Sequence, residues 1–226
     1  MNLCVIPARG GSKRIPHKNI KDFAGLPLIA HSIKSALNSG IFDEVIVSTD
    51  DKDIARISLK FGAKVPFMRE ANLSDDFATT SDVMKDACLK MGENFKNVCC
   101  LYATAPLLMA EILCEAYEKF QDNKCEFLFS ACEFSFPIQR AIKLDEKGAV
   151  SMFYPQHLST RSQDLERVYH DAGQFYFAKR EAWLEQKPIF AAHSRAFILP
   201  RHLVCDIDTL ADFEFAQKLY KINHEL

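Results

Sequence analysis

The chain has 226 residues, 48% of them hydrophobic, enough to build the core of one α/β domain. Its 28 basic and 30 acidic residues nearly cancel, which argues against an extended nucleic-acid or membrane surface and makes any basic cluster a local site. No apolar run approaches the ~20 residues that span a bilayer, and because Met1 leads almost directly into an apolar strand-like run, no secretory leader is expected. The eight Cys include no Cys-x-x-Cys spacing and read as reduced thiols of a cytoplasmic protein.

In chain order, LCVIP (3–7) and EVIVSTD (44–50) are continuous, β-branched runs of the kind that form parallel strands buried on both faces. NVCCLYA (97–103) and CEFLFSA (125–131) continue the series. The intervening LIAHSIKSALNSG (28–40) predicts a helix stopped by Gly40, and KDIARISLKFG (52–62) repeats the design with Gly62. Residues 81–91 and 108–121 supply two more helices. This rhythm predicts an α/β fold, a Rossmann-like, mostly parallel sheet with helices on both faces.

After about residue 133 the rhythm changes. RAIKLDEKGAVSMFY (140–154) alternates around a Glu-Lys-Gly turn, as a β-hairpin does. PQHLSTRSQDLERVY (155–169) is polar and has no apolar stripe. QFYFAKR (174–180) returns to strand, and 208–223 form a closing helix. Residues 134–172 are therefore expected to leave the sheet and return to it, within a single domain spanning 1–226.

The first chemical signal is PARGGSKRIPHKN (7–19), which leaves the first strand at its carboxyl end, where open α/β sheets bind ligands. Gly10 and Gly11 permit converging backbone N–H groups, and Arg9, Lys13, Arg14 and Lys18 can add charge-assisted bonds to phosphate. The loop matches neither Gly-x-x-x-x-Gly-Lys-Ser/Thr nor Gly-x-Gly-x-x-Gly. A second signal is CDIDT (205–209): if extended, it puts Asp206 and Asp208 on one face and Ile207 toward the core. Such a pair suits Mg²⁺, and Asp208 or Thr209 equally suits the start of the final helix. Asp50, after the second strand, suits either a substrate contact or a helix cap, and so do Thr80 and Ser81 before the third helix.

PARGGSKRIPHKN resembles the N-terminal signature of the CMP-sialic acid synthetase family, approximately P-A-R-G-G-S-K-x-I-x-x-K-N. These cytidylyltransferases activate nine-carbon α-keto acid sugars. The resemblance implies a fold of the nucleotide-diphospho-sugar transferase type, with a small β-rich dimerisation insertion (here 134–172) in a homodimer. It implies CTP and a nine-carbon α-keto acid sugar as substrates, and Mg²⁺ as cofactor, held by the family's D-I-D motif, here Asp206 and Asp208. Carried over, Ala8, Arg9, Gly10, Ser12, Lys18 and Asn19 contact nucleotide, with Arg9 and Lys18 on the phosphates. MREANLSDDFATTSDV (68–83) is similar to a further nucleotide-binding segment, in which Arg69 and Thr80 match and Ser81 is adjacent. In LYATAPL (101–107) Thr104 fits, but Tyr102 stands where sialic acid members usually carry Gln. YHDAGQFYF (169–177) has Asp-Ala-Gly where those members show Asn-Gly, and resembles the pseudaminic acid branch. His170, Asp171, Gln174 and Tyr176 are the implied sugar contacts. Arg161 is the implied cation near the reacting groups, in an arm that reaches the partner subunit. The implied reaction yields a CMP-sugar and pyrophosphate, for surface or flagellin glycosylation. Sialic or legionaminic acid is the alternative sugar, and a metal-dependent glycosyltransferase the distant alternative.

Overall fold

The computed structural model describes residues 1–224; positions 225 and 226, the end of the expected domain, lie outside the described residues. β1 (Asn2–Pro7) runs into the basic loop, then a short hairpin, β2 (Asp22–Phe23) and β3 (Leu26–Pro27). The alternating half continues with α1 (Leu28–Ser39), β4 (Glu44–Ser48), α2 (Lys52–Lys60), α3 (Thr80–Met91), β5 (Asn97–Leu101), α4 (Ala110–Asn123) and β6 (Phe127–Glu133). There follow β7 (Ile142–Leu144), β8 (Val150–Met152), β9 (Tyr169–Lys179), α5 (Arg180–Leu184), β10 (Ser194–Leu199) and α6 (Leu210–His224).

The main sheet has the order β10-β6-β9-β5-β1-β4. β1 pairs in parallel with β4 and β5, and β10 with β6; β9 alone runs antiparallel, between β5 and β6. The expected mostly parallel sheet is therefore observed. Alternate residues of the apolar runs serve opposite faces, as period two requires. Cys4, Ile6, Val47, Leu101, Phe175 and Phe177 pack with α1, α2 and α4. Leu3, Val5, Ile46, Val98, Cys100 and Tyr176 pack with Met84 of α3 and Trp183 of α5. Trp183 is fully buried, and its indole N–H donates to the Val98 carbonyl at 3.1 Å.

Helix boundaries follow local chemistry. Gly40 ends α1 in the left-handed region (φ 65°), which costs a glycine little. Asp51 caps α2 by accepting the Asp53 and Ile54 N–H groups, so Asp50 is released from that role. Thr79 caps α3 in a reciprocal box with Asp82, which likewise frees Thr80 and Ser81.

Two expectations are corrected, and one strand was not expected. β9 begins at Tyr169, so the excursion from the sheet closes before the expected 172. β10 had no counterpart among the expected elements; it is a six-residue edge strand whose parallel pairing with β6 is a purely tertiary feature. Residues 205–209 are irregular instead of a strand, although Ile207 is buried and Asp206 exposed as the alternation required. The predicted hairpin at 140–154 forms as the separate β7–β8 pair. Around it Phe136, Leu144, Val150 and Leu158 are exposed.

Candidate active site

The basic loop lies at the carboxyl ends of β1, β4 and β5, and its conformation is set by bonds to the neighbouring strands. The Ala8 N–H donates to the Ser48 carbonyl, and the buried Asn19 side chain donates to the Arg9 carbonyl at 3.0 Å, stapling the two ends of the loop together. Gly10 is required for a different reason than backbone freedom. Neither Gly10 nor Gly11 has a positive φ, but a Cβ on Gly10 would stand 2.7 Å from Asp51 Oδ2 and 2.9 Å from Asp51 Cβ. The Gly10 N–H donates to Asp50 Oδ1 at 2.9 Å, a bond that ties the loop to the end of β4.

The same Asp50 carboxylate stands 3.8 Å from the guanidinium of Arg69, which is buried. Burial lowers the Arg69 pKa, and Asp50 partly opposes that shift. The loop cations face carboxylates from distant elements. Arg9 Nη1 donates to Asp76 Oδ1 and to the Asp75 carbonyl, both at 2.8 Å, and Lys13 pairs with the other oxygen of Asp76. Those bonds to Lys13 and Arg9 hold the Asp76 carboxyl below the usual range. Asp75 and Asp76 were not singled out in the sequence; their only signal was an acidic pair just before the Thr-Thr of α3.

At the other end of the loop, Arg14 Nη2 donates to Asp208 Oδ1 at 2.6 Å, and Lys18 Nζ donates to the Ile207 carbonyl with Asp208 3.8 Å away. A small core holds these segments together, in which Ile15 of the loop and Ile207 are buried with Phe23, Leu28 and Phe213. Thr209 shares reciprocal bonds with Asp212 at the start of α6, so Asp208 is not consumed as the helix cap. Although its side chain reaches solvent, partial desolvation by the surrounding loop and then the adjacent Asp208 raise the Asp206 pKa, whereas burial lowers that of Lys18 against the pull of both carboxylates. Two neighbouring carboxylates are a donor set that fits a divalent cation.

Two cavities meet at this edge. One of ≈ 450 Å³ is lined by Arg9, Arg14, Lys18, Asn19, Arg69, Thr80, Tyr102 and Thr104. Ser12 lines a side pocket with Arg9, Lys13 and Lys18, and Ala8 lies buried beneath the loop. The second, ≈ 570 Å³, is lined by Ser81, Asp171, Tyr176 and residues 186–190. Thr79, Thr80 and Tyr102 line both. Tyr102 is fixed at this seam by its hydroxyl, 2.8 Å from Thr80 Oγ1, and burial pushes its pKa up to about 12. Tyr176 donates its hydroxyl to Asp171 Oδ2 at 2.5 Å, and Asp171 Oδ1 accepts the Gly173 N–H.

The remaining residues read from the sequence lie apart. Gln174 is buried, and its Nε2 donates to the Leu203 carbonyl, outside both cavities. His170 packs edge-on against Phe134 and bonds the Asp171 carbonyl. Arg161 is exposed on the excursion and pairs with Asp164 at 2.7 Å, so within one chain it is not brought to the seam. The loop 186–190 was not anticipated; it enters the site only through the tertiary fold.

A seam of two cavities, one ringed by cations and one beside it with a carboxylate, is suited to joining a nucleotide to a second substrate. Residues 3–224 match the family described as Cytidylyltransferase, and the chain belongs to that family. It is thus a nucleotidyltransferase. Among similar proteins is the pseudaminic acid cytidylyltransferase of Campylobacter jejuni, 59% identical over 99% of this chain and 98% of that one. The post-translational flagellin modification protein B of Campylobacter coli is 35% identical over 97% of this chain and 94% of its own. The CMP:2-keto-3-deoxy-manno-octonic acid synthetase complexed with CTP shares the fold, with a TM-score of 0.72 at 20% identity, over 100% of this chain and 99% of that one.

Proposed function

We propose that the protein joins CTP to pseudaminic acid, a nine-carbon α-keto acid sugar, giving the CMP-sugar and pyrophosphate. The observation that carries this reading is the seam at Thr79, Thr80 and Tyr102, where a cation-ringed cavity opens onto a second cavity bearing Asp171 and Tyr176. The full-length relative at 59% identity supports the choice of sugar. In this reading CTP occupies the first cavity, the sugar the second, and the anomeric hydroxyl attacks the α-phosphorus across the seam. Arg9 and Lys18 balance charge on the departing pyrophosphate, and Arg69, Thr80 and Thr104 orient the nucleotide. Such catalysis is mostly positioning and charge neutralisation. The flagellin-modification relative supports a place in surface or flagellin glycosylation.

Asp206 and Asp208 are the residues that would hold Mg²⁺. Among the described residues no third acidic, His or Cys donor joins them, which suits an ion completed by substrate phosphates and water. When bound, the ion would neutralise phosphate charge and make a coordinated hydroxyl more acidic. A homodimer is supported by the apolar side chains exposed around β7 and β8. In it, Arg161 would serve the neighbouring subunit's sugar carboxylate. No helix among the described residues is long and apolar enough to cross a membrane, and a cytoplasmic location accords with the eight free thiols.

The test is pyrophosphate release from CTP and Mg²⁺ with pseudaminic, legionaminic or N-acetylneuraminic acid. Pseudaminic acid should give the highest kcat/KM. A preference for another of the three would reassign the sugar, and sugar-independent CTP breakdown would remove the reading.

A further inference from the structure

The second cavity owes one wall to a turn that the reaction scheme leaves unexplained. Residues 186–190 follow α5, and Gln186 has a φ of +51°, a left-handed backbone that a long side chain rarely adopts. Its side chain is committed at both ends. Nε2 donates to Asp82 Oδ1 at 2.7 Å, and Oε1 accepts from Lys85 Nζ at 3.2 Å. Both partners sit in the first turns of α3, whose Thr79 and Thr80 border both cavities. The other oxygen of Asp82 closes the capping box by accepting the Thr79 N–H and hydroxyl, so one carboxylate ties the helix end to the turn.

The turn has anchors besides the Gln186 side chain. The Pro188 carbonyl bonds His193 Nε2 at 2.9 Å, Phe190 packs edge-on against Phe129 at 5.2 Å, and the Lys187 N–H donates to the Ala182 carbonyl. What the Gln186 side chain adds is the tie to α3. A strained residue whose polar atoms span two elements is the pattern expected where geometry is held for function.

We propose that Gln186 is a positioning residue for the second substrate: it fixes the 186–190 wall of the sugar cavity against the helix end that also borders the nucleotide cavity. This rests on the assignment of the second cavity to the sugar. Gln186 orients the wall and leaves nucleotide binding to other residues.

The experiment is steady-state kinetics of the full chain, with CTP, Mg²⁺ and pseudaminic acid each varied, for Gln186→Ala, Gln186→Asn and Gln186→Gly, together with their Tm values. All three lose the bridge to Asp82 and Lys85, while Asn and Gly tolerate the left-handed backbone better than Ala. The KM for pseudaminic acid should rise about fivefold in all three, as expected for loss of a modest, exposed hydrogen-bond pair, with the KM for CTP within about twofold of wild type. The Tm of Gln186→Gly should equal or exceed that of wild type. Stability and sugar affinity then move in different directions, which a merely structural residue would not produce. An unchanged sugar KM overturns the proposal, as does a rise confined to the Gly variant or an equal rise for both substrates. If the wild-type protein turns over none of the three acid sugars, the cavity assignment fails and the proposal with it. Turnover by the wild type with unaltered variants removes this proposal alone.

Discussion

Gly10→Ala is the sharpest test of how the basic loop is held. The new Cβ would lie 2.7, 2.9 and 3.2 Å from Asp51 Oδ2, Cβ and Cγ, closer than such atoms normally approach. Asp51 cannot simply turn aside, because its Oδ1 accepts the Asp53 N–H at 2.7 Å and the Ile54 N–H at 3.0 Å. Relief comes either from giving up the α2 cap, at about 1–2 kcal/mol, or from retreat of the loop, which strains the Gly10–Asp50 bond at similar cost. Any Gly→Ala change also gains about 0.4–1 kcal/mol by restricting the unfolded chain. Gly11→Ala is the matched control, since its Cβ meets nothing within 4 Å and its φ is not left-handed. The difference between the two variants isolates the collision at about 1–2 kcal/mol. For a chain of this size that is roughly 2–8 °C in Tm by differential scanning fluorimetry. Displacement of Arg9 with the loop should raise the KM for CTP roughly tenfold, since small misplacements of positioning groups are expensive. Adding Asp51→Gly to Gly10→Ala should recover the CTP KM without restoring the cap. Equal Tm values for the two alanine variants, or a normal CTP KM in Gly10→Ala, would refute the close-approach argument.

Other expectations follow from the same geometry. Asp208→Asn should abolish Mg²⁺-dependent pyrophosphate release while Tm changes by only a few degrees, because its pairs with Arg14 and Lys18 are solvent-exposed or long; circular dichroism and turnover together check this. Mixing Arg161→Ala with Asp208→Asn protomers should restore part of the activity if Arg161 acts across a dimer, and no recovery would keep both residues within one chain. Stability should fall as pH rises from about 9 toward 12, because Cys88 and Tyr102 are both raised to about 12 in the folded chain, from ordinary values of 9.0 and 10.0. A raised pKa means that the folded form keeps protons the unfolded chain releases, so this stability is present below the unfolded values and lost above them. Tyr102→Phe should flatten the upper part of that decline in urea melts across pH. Trp183→Ala, which empties a fully buried site and removes the bond to Val98, should cost about 3–5 kcal/mol.

Much of the fold was legible because its signals are local. The buried runs 3–7, 44–50 and 97–103 became β1, β4 and β5, and the glycine and capping signals bounded α1 and α2 to within a few residues. The edge strand β10 was not legible, since six residues with partly exposed positions become a strand only by pairing with β6. The excursion's end was misplaced because the polar start of β9 looked like loop until its ladder with β6 was formed.

The site divides in the same way. Sequence alone determined the contiguous parts: the loop from Ala8 to Asn19 with its spaced cations, and the Asp206–Asp208 pair around a buried Ile207. Tertiary structure decided their partners. Asp50 accepts the Gly10 N–H, Asp76 grips Arg9 and Lys13, and Asp208 meets Arg14 across 194 positions of chain. Periodicity and capping act over a few residues, so they can be read along the chain. The shared core of Ile15 and Ile207, and the seam where Tyr102 and Thr80 join two cavities, exist only once the whole sheet has brought its strand ends to one edge.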